Sequence, residues 1–408
     1  TDKYFILLFL RKMNDATKIF IKEHVNDDVY TMALQISKYP DVDMPFAVRQ
    51  ISGKQKVIHK IPSFYECDDL LYPQKLSLEQ SSSEITANYK AANCKGSVII
   101  DLTGGFGVDS FFFSKKFKRV FYVERQEELC VLAKHNFPLL GSPNISVLNE
   151  LAENYLEQTE KVDWIYLDPA RRTEEGKKAV LLSDCEPNVA QLENKLLNKA
   201  SHVMIKLSPM IDISELRREL KQISEIHIIA VENECKEVVT ILENRIIDSV
   251  IVKTINFKKN GLSEAFDFDI EAEQKAVAPL SDKVMDYLYE PNAAIMKSGS
   301  FRLISEKLQV NKLHTNSHLY TSDHVIPDFP GRVFNVINVY DFSKESLKSL
   351  HTEVRKANLS VRNFPLTVNE LRKKLKLAEG GEDYIFATTL SDEKKVLVHC
   401  KKNLEYNK

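Results

Sequence analysis

The sequence carries almost no net charge. Its 408 residues set 56 Lys and Arg against 58 Asp and Glu, a formal balance of −2. A whole-molecule field that gathers polyanions is therefore excluded, and any nucleic-acid surface has to be a local patch. No CxxC pair occurs among the six cysteines, Cys67, Cys94, Cys130, Cys185, Cys235 and Cys400, and no His/Cys cluster lies near them. A structural zinc site thus has no support, and no metal is expected. Six cysteines without a pairing pattern in a chain of this length fit a reducing compartment better than a disulfide framework, so a cytoplasmic protein is expected. Long apolar runs are missing too. The longest early one, "YFILLFL", meets Arg11-Lys12 at once, is too short for a bilayer and lacks a cleavage-site pattern. It reads as the buried face of a first helix, and no membrane partner is expected. No tandem repeat is visible.

What is present is ordinary for a globular chain, 43% hydrophobic and 28% charged, and long enough for two to four domains. Residues 2–24 and 27–37 read as helices, the second from Val29, Met32, Ala33 and Ile36 at helical spacing. "PFAVRQISGKQKVIHKIPSF" reads as strand-like around a Ser-Gly turn. Residues 75–92 read as a loop and then a helix, with Ser82 or Ser83 as N-cap. Apolar runs at 97–103, 119–124, 145–149, 164–168, 202–207 and 226–231 then alternate with helical stretches at 108–117, 126–136, 186–199 and 212–223. Further strands are expected near 237–243 and 247–256. Continuous apolar strands alternating with helices imply a parallel sheet covered on both faces. After residue 257 the polar stretch "KKNGLSEAFDFDIEAEQKAV" suggests a boundary, followed by a helical piece, "LSDKVMDYLYEPNAAIMKSG". Residues 331–408 read as a small α/β module: a strand, helices at 343–357 and 367–376, and two strands.

The first strand of the alternation ends in "IIDLTGGFGVDS". Asp101, Thr103, Gly105 and Gly107 fit [DE]-x-[GAST]-x-G-x-G. A strand that turns sharply into a helix, with backbone close to a ligand, needs residues without a Cβ. A nicotinamide site would want G-x-G-x-x-G, but Ser110 holds the third position. A carboxylate at Asp101 would also repel a pyrophosphate, whereas it suits a ligand with a cationic amino-acid end, such as S-adenosylmethionine. Glu124 ends the second strand where an acid that accepts ribose hydroxyls is expected. An acid reading adenine after the third strand is poorly matched by Asn149 and Glu150.

At these residues the chain resembles the class I S-adenosylmethionine-dependent methyltransferases, over about residues 75–256. It resembles more narrowly a group of bacterial methyltransferases with a ferredoxin-like segment and a THUMP-like domain after the catalytic part. "LSLEQSSSEITANYK", "DPARR", "KLSPMID", "YLYEPNAAIMKSG" and the 331–402 block carry that likeness. It implies an α/β fold, a Rossmann-like seven-stranded methyltransferase sheet with an N-terminal mainly helical region (1–74), a catalytic domain (75–257), a ferredoxin-like or linker segment (258–330) and a THUMP-like α/β domain (331–408). It also implies S-adenosyl-L-methionine as cofactor, held by Asp101, Thr103, Gly104, Gly105, Gly107 and Asp109 on the loop side and by Glu124 and Arg125 at the ribose. Gln80 and Ser82, with Ser83, fall in a segment that often caps the cofactor in such enzymes; a plain capped helix is the other reading.

Asp168-Pro169 occupies the family's fourth motif, where the acceptor meets the methyl, and is the expected catalytic pair. Members acting on nitrogens of bases often have [DNS]-P-P-[FYW] there. Here the motif is Asp-Pro-Ala-Arg, without the second proline or the stacking aromatic. Uracil C5 enzymes have Asp-Pro-Pro-Arg, but their cysteine-nucleophile motif is absent, and Cys185 and Cys235 read as ordinary buried cysteines. An acceptor amine needs its N–H oriented, which the Asp168 carboxylate can do, while proline fixes the backbone. Arg171 and Arg172 could clamp a phosphate, or merely start a solvated helix paired to Glu174 and Glu175. Lys206 and Ser208, in "MIKLSP", lie on the same rim as substrate candidates; Lys206 either faces the substrate or bonds Asp168 or Asp184. His202 and His227 read as structural. The 331–408 block carries 15 Lys and Arg against 10 Asp and Glu, a balance of +5. Within it, Arg362, Arg372, Lys373 and Lys374 are candidate RNA contacts. The expectation is methylation of RNA at a base nitrogen, with a small molecule or free nucleotide as the alternative acceptor, or a binding protein without turnover.

Overall fold

The computed structural model describes residues 14–171 and 182–405. Those residues form two compact units, one running to Ile223 with Thr240–Ile246, the other Ser224–Val239 with Ile247 onward.

The first unit opens with helices set by their caps. Asn14 accepts from the Thr17 amide at 2.8 Å and starts α1 (Asp15–Glu23); Asp28 starts the short α2 (Val29–Ala33). The helix expected over 27–37 is thus broken, with a separate 3-10 turn at Ile36–Lys38. Residues 2–13 of the expected first helix lie outside the described residues. The segment read as strand-like is instead α3 (Met44–Lys60), capped by Asp43 and buried along Met44, Ala47, Ile51 and Val57. Gly53, taken as a turn, is a packing glycine. A Cβ there would lie 2.3 Å from Tyr72 Cβ, and Tyr72 is fully buried. Gln50, one turn earlier, bonds both the amide and the carbonyl of Tyr72 at 2.8 and 3.1 Å. Gly53→Ala gains about 1 kcal/mol of helix propensity, but overpacking costs roughly 1–3 kcal/mol and occasionally more. The melting temperature of the variant should fall; a rise would contradict this packing role. Helices α4 (Lys75–Gln80) and α5 (Glu84–Ala92) follow, the second capped by Ser83.

Strands β1 (Val98–Asp101), β2 (Arg119–Glu124), β3 (Ile145–Asn149), β4 (Val162–Leu167) and β5 (Ala200–Leu207) are all parallel and lie in the order β3-β2-β1-β4-β5. Helices α6 (Val108–Ser114), α7 (Glu127–Leu139), α8 (Ala152–Gln158) and α9 (Val189–Lys199) connect them, and α10 (Ile213–Glu219) follows β5; α8 was not foreseen. Trp164 through Leu167 are all buried, as a central strand covered on both faces requires. Parallel strands bring the carboxyl ends of β1, β2 and β4 to one rim.

In chain order come β6 (Ile223–Val231), β7 (Glu234–Glu243), β8 (Ile251–Phe257) and β9 (Ser263–Asp269), and the full strand order is β9-β8-β6-β7-β5-β4-β1-β2-β3. The sheet has nine strands where seven were expected. The extra pair is the antiparallel hairpin β8–β9. The polar stretch after residue 257 holds the hairpin turn, at Gly261, and the edge strand β9, which was not foreseen. His202 stacks on Trp164 at 4.5 Å and His227 bonds Glu225 at 2.7 Å, both structural.

A second, seven-stranded sheet follows, with β10 (Tyr287–Pro291), β11 (Asn311–Lys312), β12 (Tyr320–Ser322), β13 (Gly331–Asp341), β14 (Lys356–Arg362), β15 (Ala378–Thr389) and β16 (Lys395–Lys402) in the order β11-β12-β10-β13-β16-β15-β14. The piece read as helical at 280–299 is β10 and then a six-residue helix, Ala293–Ser298. Strand β14 was missed; it runs parallel to β15. Helices α11 (Lys344–Glu353) and α12 (Val368–Leu375) cover one sheet face, packing Leu350, Leu371 and Leu375 on Ile385, Ala387 and Leu397. No helix among the described residues is long and apolar enough to cross a membrane.

Candidate active site

A cavity of about 180 Å³ opens in the first unit at the carboxyl ends of β1, β2 and β4. Asp101, the last residue of β1, is 1% exposed. One carboxylate oxygen accepts from the Thr103 amide at 3.0 Å, the other from the Ser110 hydroxyl at 2.6 Å. Burial outweighs these bonds and pushes the Asp101 pKa up to about 7. The loop that follows needs its glycines for two reasons. Gly105 and Gly107 have φ of 55° and 86°, and a Cβ on Gly104 or Gly107 would lie 2.3 Å from Tyr122 or 2.7 Å from Phe137. Gly105 has room on its open side, and its amide donates to Glu124 Oε2 at 2.9 Å.

Glu124 therefore bridges two turns, because its Oε1 accepts from the Gln126 amide at 2.8 Å. Each oxygen keeps a lone pair for a hydroxyl. Asn149 donates to the carbonyls of Glu124 and Arg125 at 2.9 and 3.1 Å, so it shapes this corner rather than reading a ligand. Leu129 and Leu151 supply apolar wall beside it.

A third carboxylate, Asp109, enters from α6. Its Oδ2 accepts from Ser82 at 2.7 Å and Tyr166 at 2.9 Å, and Lys90 Nζ stands 3.0 Å from its Oδ1. Burial alone would raise its pKa, but Lys90 and Lys206 override it and hold Asp109 below the usual carboxylate range. Lys90 also donates to Ser82 at 2.8 Å. The end of β4 is tied to the glycine loop by the Asp168 amide, which donates to Thr103 Oγ1 at 2.6 Å. The Asp168 carboxylate takes a short hydrogen bond from Lys206, and burial nevertheless raises its pKa from the ordinary value. At the mouth, Arg125 pairs with Glu186 at 3.0 Å, and Glu186 in turn pairs in antiparallel register with Ala170.

The cavity wall contains Gln80, Ser82, Asp101, Thr103, Gly104, Gly105, Gly107, Asp109, Glu124 and Arg125 together with Asp168 and Ala170. Pro169, Lys206 and Ser208 are not part of it. Pro169 is buried, Lys206 engages Asp168, and the Ser208 hydroxyl accepts from the Met210 amide at 3.2 Å. Arg172 lies outside the described residues, and of Arg171 only the backbone is described, opposite Cys185. Sequence reasoning missed Lys90, Tyr166, Ser110 and Glu186. Lys90 had a signal: it falls on the helical face of Thr86, Ala87 and Ala91, all buried. Ser110, which breaks the nicotinamide pattern, turns out to be a donor to Asp101. Among the described residues no group of three His, Cys, Asp or Glu converges as metal ligands would.

Residues 287–330 match a ferredoxin-like domain family and residues 331–402 a THUMP-domain-like family. Among solved structures, a candidate methyltransferase from Porphyromonas gingivalis W83 is 34% identical, with a TM-score of 0.86, over 95% of this chain and 97% of that one. An rRNA methylase from Streptococcus thermophilus is 16% identical over 39% of this chain and 93% of that one, TM-score 0.28. A candidate methyltransferase from Streptococcus mutans, in complex with SAH, is 15% identical over 39% and 96%, TM-score 0.30. No curated protein matches the sequence.

Proposed function

This chain belongs to the family of the Porphyromonas gingivalis methyltransferase-like protein, with ferredoxin-like and THUMP-like domains after the catalytic sheet, and on that premise we propose that it transfers a methyl group from S-adenosylmethionine to a base nitrogen of RNA. The observation that carries the reading is the composition of one cavity wall. Three carboxylates, Asp101, Asp109 and Glu124, stand around a glycine loop with Asp168 on the same rim. A pyrophosphate would be repelled by that set. A ligand with a cationic end and a ribose diol fits it.

In this reading Glu124 accepts the ribose hydroxyls through the lone pairs left free by Gly105 and Gln126. Asp101 and Asp109 face the cationic amino-acid end, Gln80 and Ser82 close over it, and Leu129 and Leu151 flank the base. Bound S-adenosylmethionine supplies an electrophilic methyl on a sulfonium. The chain itself orients and excludes water. Asp168 accepts the N–H of the acceptor and leaves the nitrogen lone pair directed at the methyl. Lys206 holds one Asp168 oxygen, which fixes the rotamer and leaves the other for the acceptor. As the nitrogen gains carbon it loses a proton, and Asp168, with its raised pKa, receives it before solvent does. Arg171 and Arg172, following in sequence, serve phosphate in this account.

Isothermal calorimetry tests the cofactor half directly. S-adenosylmethionine should bind the wild-type chain, and Glu124→Ala should weaken it at least tenfold, since even one hydrogen bond to a charged acceptor contributes about 1.5–3 kcal/mol. No heat of binding with the wild type would end the proposal.

A further inference from the structure

The second unit contains a charged assembly that the helix pattern did not reveal. Glu290 on β10 is 3% exposed, yet it holds two arginines. Arg332 Nε lies 2.8 Å from Oε2, and an Arg362 terminal nitrogen 3.0 Å from Oε1. Arg332 is the cross-strand partner of Glu290. Arg362 is not: β14 stands four places from β10 in the sheet. At about 4.8 Å per strand, a flat sheet would separate them by roughly 19 Å, further than these two side chains extend. The sheet must therefore curl, with Glu290 at the centre of its inner face.

That face is distinct from the one under α11 and α12. Side chains alternate along a strand, so Tyr384 and Phe386 point away from Ile385 and Ala387, which meet the helices. Arg332 lies 5.5 Å from the Phe334 ring and 5.9 Å from Tyr384, which is half-buried. In the same unit, Phe301 stacks on His318 at 3.6 Å and Lys312 Nζ sits 5.3 Å from the Phe301 ring. Burial, then Lys312 and Arg362, hold the His318 pKa down to about 4. Two arginines against one carboxylate leave a surplus positive charge, and each arginine side chain remains more than a third exposed. By contrast, the cations expected on α12 are partly committed elsewhere. Arg372 reaches the Ala357 carbonyl at 3.4 Å, and Lys374 lies 4.8 Å over Phe342.

We propose that the curled face around Arg332, Glu290 and Arg362 is where this chain grips the phosphate backbone of RNA, and that the α12 face is not. Glu290 presents both guanidiniums in fixed orientation, which suits the bidentate geometry of phosphate. Tyr384 and the Phe301–His318 stack offer flat surfaces for unpaired bases. The inference rests on RNA being the substrate.

The test uses the full chain, a short uridine oligomer and total RNA. One variant is Arg332→Gln/Arg362→Gln/Glu290→Gln, which removes the fork without stranding a buried carboxylate. The other is Lys373→Gln/Lys374→Gln. At fixed salt the fork variant should lose about tenfold in affinity, with its log–log salt slope shallower by about 1 to 2. The α12 variant should stay within about twofold. A wild-type near-UV circular dichroism spectrum together with a cooperative thermal melt shows that the fork variant keeps the second unit folded. If wild type binds RNA and the fork variant binds equally well, or only the α12 variant weakens, the inference is overturned while RNA methylation stands. If wild type binds no RNA, the proposed substrate falls, and this inference with it.

Discussion

Asn in place of Asp168 should lower methyl transfer by a hundredfold or more while leaving S-adenosylmethionine affinity within about threefold. The size follows from losing a positioned proton acceptor, typically 10²–10⁴ in rate. Asn keeps the shape and can still accept from Lys206 through its amide oxygen, and the backbone bond from residue 168 to Thr103 Oγ1 does not involve the side chain. What it cannot do is take a proton. Single-turnover rates and calorimetry on the same preparation separate the outcomes. A rate within fivefold of wild type would show that Asp168 does not orient the acceptor. A collapse of affinity with the rate would assign it to the cofactor instead.

Asp101→Asn should weaken S-adenosylmethionine binding at least thirtyfold, because truncating one partner of a buried charged pair costs 2–5 kcal/mol or more. The same substitution should leave the ligand-free protein at least as stable at pH 8. The sign follows from the pKa. The folded carboxyl is raised by burial to about 7 from an ordinary 3.8. Its contribution to stability is therefore full below about pH 4 and is lost as pH rises through 7. Asn carries no such penalty. For binding, the ionised form meets a cationic ligand, so wild-type affinity should fall about tenfold from pH 8 to pH 6, with proton release on binding near pH 7. Thermal melts at pH 5 and 8, and calorimetry in buffers of different ionisation heat, read these effects. A pH-independent affinity in the wild type would contradict the role given to Asp101.

Much of the parallel sheet and its rim was legible. Strand–helix alternation, Asp101 before three glycines and Glu124 at the end of the next strand are local patterns, and the sheet converts them into neighbours by parallel pairing. The rest was not, or only in part. The strand-like reading of 45–64 failed because Gly53 looks like a turn until Tyr72, distant in sequence, packs against it. Strand β9 was hidden because an edge strand is polar on its exposed side. The acceptor side was read in part: Lys206 was expected to meet either substrate or one of Asp168 and Asp184, and only the fold decides that it meets Asp168. Likewise, "RKKLK" marks a basic helix, while the Arg332–Glu290–Arg362 assembly joins three strands that no local pattern links.

The central claim is transfer of a methyl group to RNA, and tritiated S-adenosylmethionine tests it most directly. Wild type and Asp168→Asn would be incubated with total RNA, with a small-molecule extract and with no acceptor. The account predicts label in RNA with the wild type, at least a hundredfold less with the variant, and none in the other two. Label confined to the small-molecule pool would contradict it.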